Sequence, residues 1–386
     1  MTPGERSEPA PAPGARRPRV LHFVTGGFSG ATQVAVDLVR AHGASGRFEA
    51  LLVLRKKRNT APERVEALRS QGLAVEVVAG WAHAATVWQL KALCERFRPD
   101  ILVAHGYSEH LWGRYAGLLA HVPHLVHVEH NSRERYTRWR LAQALWLSRR
   151  TDAIVGCSEG VRQSLLQRGF PGDRTLAIPN GIQLEPYAHA HQHPFAARVP
   201  GIVMAARFAR QKDHATLLRA VALLRERGLR PTVQLAGGGK AYALRNAKKL
   251  CSALGLDDQV RFMGFCSDVP TLLMGHQICV LATHYEGMPL SLIEGMAAGC
   301  AVVGSAVVGV QEVIDHGRNG LLAAHASPEA LADALAQLLR DGGTAARMAQ
   351  AAREDAEQRY GLQRMTRDYE DRFLAVLAAA RPEAGR

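Results

Sequence analysis

Six cysteines in 386 residues, at positions 94, 157, 251, 266, 279 and 300, form no C-x-x-C pair and no Cys/His cluster with zinc spacing. That excludes a zinc-ribbon or dithiol redox protein and predicts buried, reduced thiols. Helix-turn-helix, zinc-finger and aromatic RNA-binding patterns are lacking, so nucleic acid is not an expected partner despite a net charge of +13. The uncharged run Gly295 to Val310 is too short and too glycine-punctuated for a membrane span, which needs about 20 apolar residues. No Asp-x-Asp sequence offers a metal–diphosphate site, and no metal is expected. The first eighteen residues, rich in Pro, Ala, Gly and Arg, have no apolar segment of a secretory signal. They predict a disordered tail (1–18) on a cytoplasmic protein.

What is present is the composition of a soluble globular protein, 47% hydrophobic and 22% charged, with length enough for two domains. Apolar β-rich runs begin at Val20, Ala50, Val75, Ile101, Leu125 and Ala153, with helical patterns between them such as Gln33 to Ala41 and Leu111 to Ala120. A second series starts at Ile202, Val233, Val260, Ile278 and Ala301. Such alternation predicts parallel sheets covered by helices on both faces. Glu185 to Pro200 has no periodicity. The expected organisation is α/β: a Rossmann-like domain over 19–185, a linker over 186–200, a second Rossmann-like domain over 201–365, and a terminal segment 366–386. Ligands in such sheets bind beyond the carboxyl ends of the strands.

Glu286-Gly-Met-Pro-Leu-Ser-Leu-Ile-Glu294 follows one of these strands and opens a helix. Pro289 suits the first helical position, because its missing N–H has no partner there. Glu286 then lies in the loop and Glu294 in the first turns, with the free N–H groups of the helix end between them. Carboxylates accept from sugar hydroxyls, and a helix N-terminus takes phosphate.

Glu-x7-Glu, with Gly287, Pro289 and the small-residue tail Gly295-Met-Ala-Ala-Gly299, resembles the signature of retaining glycosyltransferases of family 4, which have the GT-B fold. The resemblance implies two Rossmann-like domains facing across a cleft. It assigns the transferred sugar to Glu286, the nucleotide ribose to Glu294, and further donor contacts to Gly287, Met288, Pro289 and Leu290. Arg207 and Lys212, in Ala206-Arg-Phe-Ala-Arg-Gln-Lys212, match the cations that hold the donor pyrophosphate, with Arg210 a substitute for one of them. Phe262-Met-Gly-Phe265 resembles the segment whose backbone reads the base, which brings in Phe265. Gly26 to Gly30 matches a glycine-rich loop near the donor phosphate, with Gly27 and Gly30 as contacts. Ile178-Pro-Asn-Gly-Ile182 looks like another family segment, although Gln183 replaces its usual Asp. Gly237 to Gly239 reads as a turn at the cleft edge. Gly361 to Phe373 resembles the terminal helix that crosses back onto the first domain.

Two histidines end strands facing the cleft, His105 and His130; the resemblance favours His130 as the residue at the reacting centre. His127, offset by an odd number of residues, faces elsewhere, and Glu129 has no assigned role. The function implied is retaining transfer from a nucleotide-sugar, UDP first among the bases, to a glycan or lipid-linked acceptor of the cell envelope, with no metal and no bound cofactor. A nucleotide-sugar epimerase of the same fold and an inactive nucleotide-sugar-binding protein are the alternatives. Basic residues Arg133, Arg135, Arg138, Arg140, Arg149 and Arg150, interleaved with Trp139 and Trp146, suit an anionic membrane surface.

Overall fold

The structure, a computed structural model, describes residues 16–58, 60–106, 109–133 and 136–379. The expected tail up to residue 15, Arg135 of the basic cluster, and residues 380–386 lie outside them. Strands β1 (Arg19–Thr25), β2 (Glu49–Arg55), β3 (Val75–Val78), β4 (Ile101–His105), β5 (His124–Glu129), β6 (Ala153–Gly156) and β7 (Thr175–Ala177) form one parallel sheet in the order β3-β2-β1-β4-β5-β6-β7. Strands β8 (Val199–Ala205), β9 (Val233–Ala236), β10 (Val260–Gly264), β11 (His276–Leu281), β12 (Ala301–Ser305) and β13 (Leu321–Ala323) form a second, in the order β10-β9-β8-β11-β12-β13. Central strands such as β1 and β4 are buried on both faces, which is why their sequences read as continuous apolar runs. Strand order reverses between β1 and β4 in the first sheet and between β8 and β11 in the second. At each reversal the flanking connections leave on opposite sides and open a crevice.

The terminal helix Leu362–Ala378 does cross back. Met365, Tyr369, Phe373 and Val376, spaced to fill one helix face, are buried against Val20, Leu38, Phe48 and Val126 of the first domain. The segment between the sheets is more ordered than its sequence suggests. It carries two 3₁₀ turns, Glu185–Gln192 and Phe195–Ala197, and β8 starts inside its expected bounds, at Val199. Arg198 donates from Nη1 to the carbonyls of Ala298 and Gly299, both at 2.8 Å, and so fastens the segment to the second domain.

The domains also touch across the cleft. Helix Glu159–Gln167 of the first points its N-terminus at Glu312 of the second. The Glu312 carboxylate accepts from the backbone N–H of Glu159 at 2.8 Å and from that of Gly160. Ser132 Oγ donates to the carbonyl of Glu286 at 2.7 Å.

Candidate functional site

The two crevices face one another and enclose a cleft of about 770 Å³. Its lining includes His105 and His130 from the first domain and Arg207, Lys212, Glu286 and Glu294 from the second. Residues nearly 190 positions apart meet there because each ends or follows a strand beside a reversal in strand order: His105 at the end of β4, Arg207 after β8, Glu286 after β11.

In the second domain the loop after β8 is stapled to the loop after β11. Lys212 forms an antiparallel bridge with Thr283, and Gln211 Nε2 donates to the Tyr285 carbonyl at 2.8 Å. Lys212 Nζ then reaches Glu286 Oε1 at 2.5 Å, and Thr283 Oγ1 donates to the same oxygen at 2.9 Å. Glu286 is buried, and Lys212 sets an opposite charge directly against it. Arg207 is exposed and pairs with no acid among the described residues. Glu294 lies one turn into helix Leu290–Ala297, and burial pushes its carboxyl up to about 7.

Gly287 has a specific need for glycine. A Cβ there would stand 2.2 Å from the carbonyl oxygen of His130 and 2.9 Å from Cys157 Sγ. The two domains approach one another backbone to backbone at this point.

In the first domain His130 follows β5. Its N–H donates to Glu129 Oε1 at 3.0 Å, and burial lowers its pKa to about 4, so the ring is neutral. Its Nε2 lies 3.1 Å from His105 Nδ1, and His105 Nε2 lies 3.0 Å from His22 Nδ1. His127 does turn the other way and stacks on His110 with centroids 4.1 Å apart.

His110, His127 and Glu129 bring ligand atoms within 4.8 Å of one another, a spacing that suits a metal ion. The proton count at His110 opposes one. Arg114 Nη2 can only donate, and it lies 2.6 Å from His110 Nδ1. His110 Nδ1 therefore carries the lone pair and Nε2 the proton, which faces Tyr136 Oη at 2.9 Å; Tyr136 donates on to Glu129 Oε2 at 3.4 Å. This chain brings the carboxylate of Glu129 toward the wholly buried Arg114 guanidinium.

One expected placement needs correction. Pro289 is the N-cap rather than the first helical residue, because the helix begins at Leu290. Pro289 and Gly27 are not among the residues that line the cleft, although Met288, Leu290 and Gly30 are. The Gly27 N–H donates to Thr25 Oγ1 at 3.3 Å. Phe265 is 80% exposed and stands off the cleft lining. Arg210 is exposed and likewise outside it. Sequence reasoning missed Asn180, buried in the Ile178–Ile182 segment with Oδ1 unpartnered at the cleft wall, and missed His22 altogether. Asn180 stands in the motif that was noticed; His22 lies within an apolar strand that gives no signal.

Comparison with known proteins covers both halves. Residues 28–186 match the family model Glycosyltransferase Family 4, and residues 189–355 match Glycosyl transferases group 1. The chain is 26% identical over 69% of its length, and 74% of the relative's, to a putative glycosyltransferase EpsD of Bacillus subtilis. It is 26% identical to the lipopolysaccharide core biosynthesis glycosyltransferase LpsE of Rhizobium meliloti, over 60% of this chain and 65% of that protein. Among solved structures, Anabaena HepE in complex with UDP and glucose superposes with a TM-score of 0.80 at 20% identity, covering 93% of this chain and all of that one.

Proposed function

The chain being a glycosyltransferase of the GT-B fold, we propose that it moves a sugar from a nucleotide-sugar, UDP-linked by preference, to a glycan or lipid-linked acceptor of cell-envelope polysaccharide synthesis, with retention at the anomeric carbon. One observation carries this reading: the Lys212–Glu286 pair and Arg207 stand at the strand-order reversal of the second sheet and share a cleft of about 770 Å³ with His105 and His130 of the first domain. Two fixed cations can neutralise charge that grows on a departing diphosphate, the work a metal performs elsewhere. Glu286 has one oxygen already engaged by Lys212 and Thr283, so it serves better to accept from a sugar hydroxyl than to attack carbon. That favours front-face transfer, in which the departing phosphate takes the acceptor's proton. The names of two relatives, one a lipopolysaccharide core biosynthesis glycosyltransferase and one a galactosyltransferase for a diphosphoundecaprenol-linked GlcNAc, support the acceptor class.

The experiment is a panel of UDP-, GDP- and ADP-sugars screened by thermal shift. Transfer to a short glycan acceptor from the best binder then follows, with the product anomer read by NMR. Inversion, or activity abolished by chelator and restored by Mg²⁺ or Mn²⁺, overturns the mechanism.

A second part of the reading concerns location. No helix among the described residues is long and apolar enough to cross a membrane. The first domain nevertheless exposes Trp81, Trp88, Leu119, Trp139 and Trp146. Trp88 and Leu119 line an apolar groove with Trp112 and Tyr115, and Tyr115 leads on to Trp146, whose face carries the Arg150 guanidinium at 3.9 Å. Aromatic bodies ringed by arginine fit the interface of an anionic bilayer. Peripheral attachment on the cytoplasmic face would bring the cleft to a lipid-linked acceptor.

A further inference from the structure

The apolar groove of the first domain has a direction. Helix His83–Phe97 and helix Glu109–Leu119 pack side by side, and the groove of about 750 Å³ runs between them. His83, Val87 and Trp88 on one and Trp112, Tyr115 and Leu119 on the other line it, at spacings that put each set on one helix face. Each helix follows a strand of the parallel sheet, β3 for the first and β4 for the second. Both therefore start at the carboxyl edge of that sheet, where the cleft lies, and run away from it. The near end of the groove is the stack of His83 on Trp112, with centroids 4.2 Å apart. The far end is at Lys91 and Leu119, and about 12 Å of helix axis separates His83 from Lys91. Between the ends the walls are apolar, yet Trp88 and Leu119 are exposed. Concave apolar surface of this size is the mark of a bound molecule.

Charge gathers at the near end. Lys91, at the far end, is paired with Glu95 of its own helix. At the near end Arg55 Nη2 lies 2.8 Å from His83 Nδ1, and Arg55 Nη1 lies 3.4 Å from Glu109 Oε1, which Lys57 Nζ reaches at 2.7 Å. A guanidinium only donates, so the neutral His83 ring accepts at Nδ1 and keeps its proton on Nε2. Burial, then the charges of Arg55, Arg140 and Lys57, lower the His83 pKa, with Glu109 opposing them. Among the described residues, three cations there meet one carboxylate. Glu109 also belongs to the lining of the large cleft. Two contacts, His83 to Arg55 and Arg55 to Glu109, thus join the groove to the cleft wall.

We propose that this groove holds the hydrocarbon tail of a lipid diphosphate acceptor, with the diphosphate against Lys57, His83 and Arg140 and the glycan it carries inside the cleft. Apolar walls, a cationic end and the cleft follow one another in the order of tail, diphosphate and sugar in such a molecule. A bilayer surface meets side chains that protrude, whereas Trp112 and Tyr115 are half-buried between the two helices. The placing of the glycan rests on the glycosyltransferase reading; the sites for tail and diphosphate do not.

The probe is a fifteen-carbon isoprenyl diphosphate, which dissolves without vesicles. It is titrated by calorimetry into the full chain saturated with the nucleoside diphosphate of its best-binding donor, so that the donor phosphate site is filled. One equivalent should bind, about tenfold or more tighter than the ten-carbon homologue, because each isoprene unit adds apolar surface to bury. Trp88→Ala with Leu119→Ser, both exposed positions, should weaken it about tenfold or more at an unchanged melting temperature. Lys57→Met, in which Arg55 still pairs Glu109, should weaken the diphosphate about 10–100-fold and the corresponding alcohol hardly at all. In transfer, a glycan carried on the fifteen-carbon diphosphate should show a KM about tenfold or more below that of the same glycan without a tail, and the double variant should erase the difference. Binding seen only when the nucleoside diphosphate is left out would place the probe at the donor site, and binding seen only with anionic vesicles would make the groove a bilayer contact. Either overturns the proposal. Unchanged affinity in the double variant, or equal KM with and without the tail, overturns it as well, as does a dimer of the chain that the double variant dissolves. Absence of transfer by the wild type with every donor would sink the glycosyltransferase reading and leave the binding result standing.

Discussion

The two domains share one architecture and prepare their sides of the cleft by opposite means. The second presents fixed charge: Arg207 exposed, and Lys212 bound to Glu286, within loops that follow β8 and β11. The first presents imidazoles that burial keeps neutral. Fixed charge at a loop is worth most against a ligand that brings charge of its own. A neutral ring is worth most against a hydroxyl. The division suits a substrate with a diphosphate at one end and a sugar at the other.

The largest effect expected of any single change falls on the charged side. Lys212→Ala should lower kcat about 10²–10³-fold, the usual loss for one charge-stabilising contact. It also leaves the Glu286 carboxylate buried without its cation, so stability should fall by roughly 3–5 kcal/mol. Pairing it with Glu286→Gln should restore the melting temperature and leave activity lost. A wild-type kcat in Lys212→Ala under saturating donor would remove the phosphate role from this side.

Next comes the neutral side. His130→Ala should bind the nucleoside diphosphate nearly as well as wild type and lose about 10²-fold in transfer. Nucleotide affinity measured by calorimetry distinguishes the cases: a parallel loss of affinity would make the first domain a phosphate site too, and erase the division.

How much of this was legible in the sequence follows from how each side is built. Arg207, Lys212, Glu286 and Glu294 lie in two short segments, each beginning where an apolar strand stops, so strand periodicity alone puts them at a cleft. His105 and His22, behind His130, lie on β4 and β1, 83 residues apart. No spacing rule joins residues on two strands so far apart; only the pairing of β1 with β4 does. Phe265 stands off the cleft lining for the complementary reason: a loop near the right strand end says nothing of which way one side chain turns. The short strands β7 and β13, three residues each, escaped notice because three residues carry no period.

A smaller effect sharpens the contrast through pH. Burial raises the Glu294 carboxyl from 4.5 to about 7, so its ionisation disfavours the folded state. The stability it contributes is complete below pH about 4.5 and is lost as pH rises through about 7. Glu294→Gln should remove that part of the decline. Melting curves of the two proteins across this range, subtracted, isolate it from Asp37, whose raised pKa acts in the same direction. A difference that does not vary with pH would mean that Glu294 is already charged in the empty cleft.

The smallest effect lies on the outside of the first domain. Binding to anionic vesicles should be reversible and fall with added salt, and Arg138→Glu with Arg150→Glu should weaken it by about 1 kcal/mol per charge removed from the surface. Cosedimentation at low salt is the measurement. Insensitivity to both salt and charge reversal would leave the exposed tryptophans without a membrane role.

Glu312 gives the closed cleft a replaceable clasp. Its carboxylate completes the first turn of a helix that belongs to the other domain. When the domains part, two water molecules can take over the same N–H groups. The free-energy difference is then of the order of one helix cap, about 0.5–2 kcal/mol. An equilibrium set by so small a bias changes by no more than about thirtyfold when the clasp is lost, since 1.4 kcal/mol is a factor of ten. Through this contact the closed cleft gains no more than that bias, which keeps opening within reach of a transferase that must release spent nucleotide.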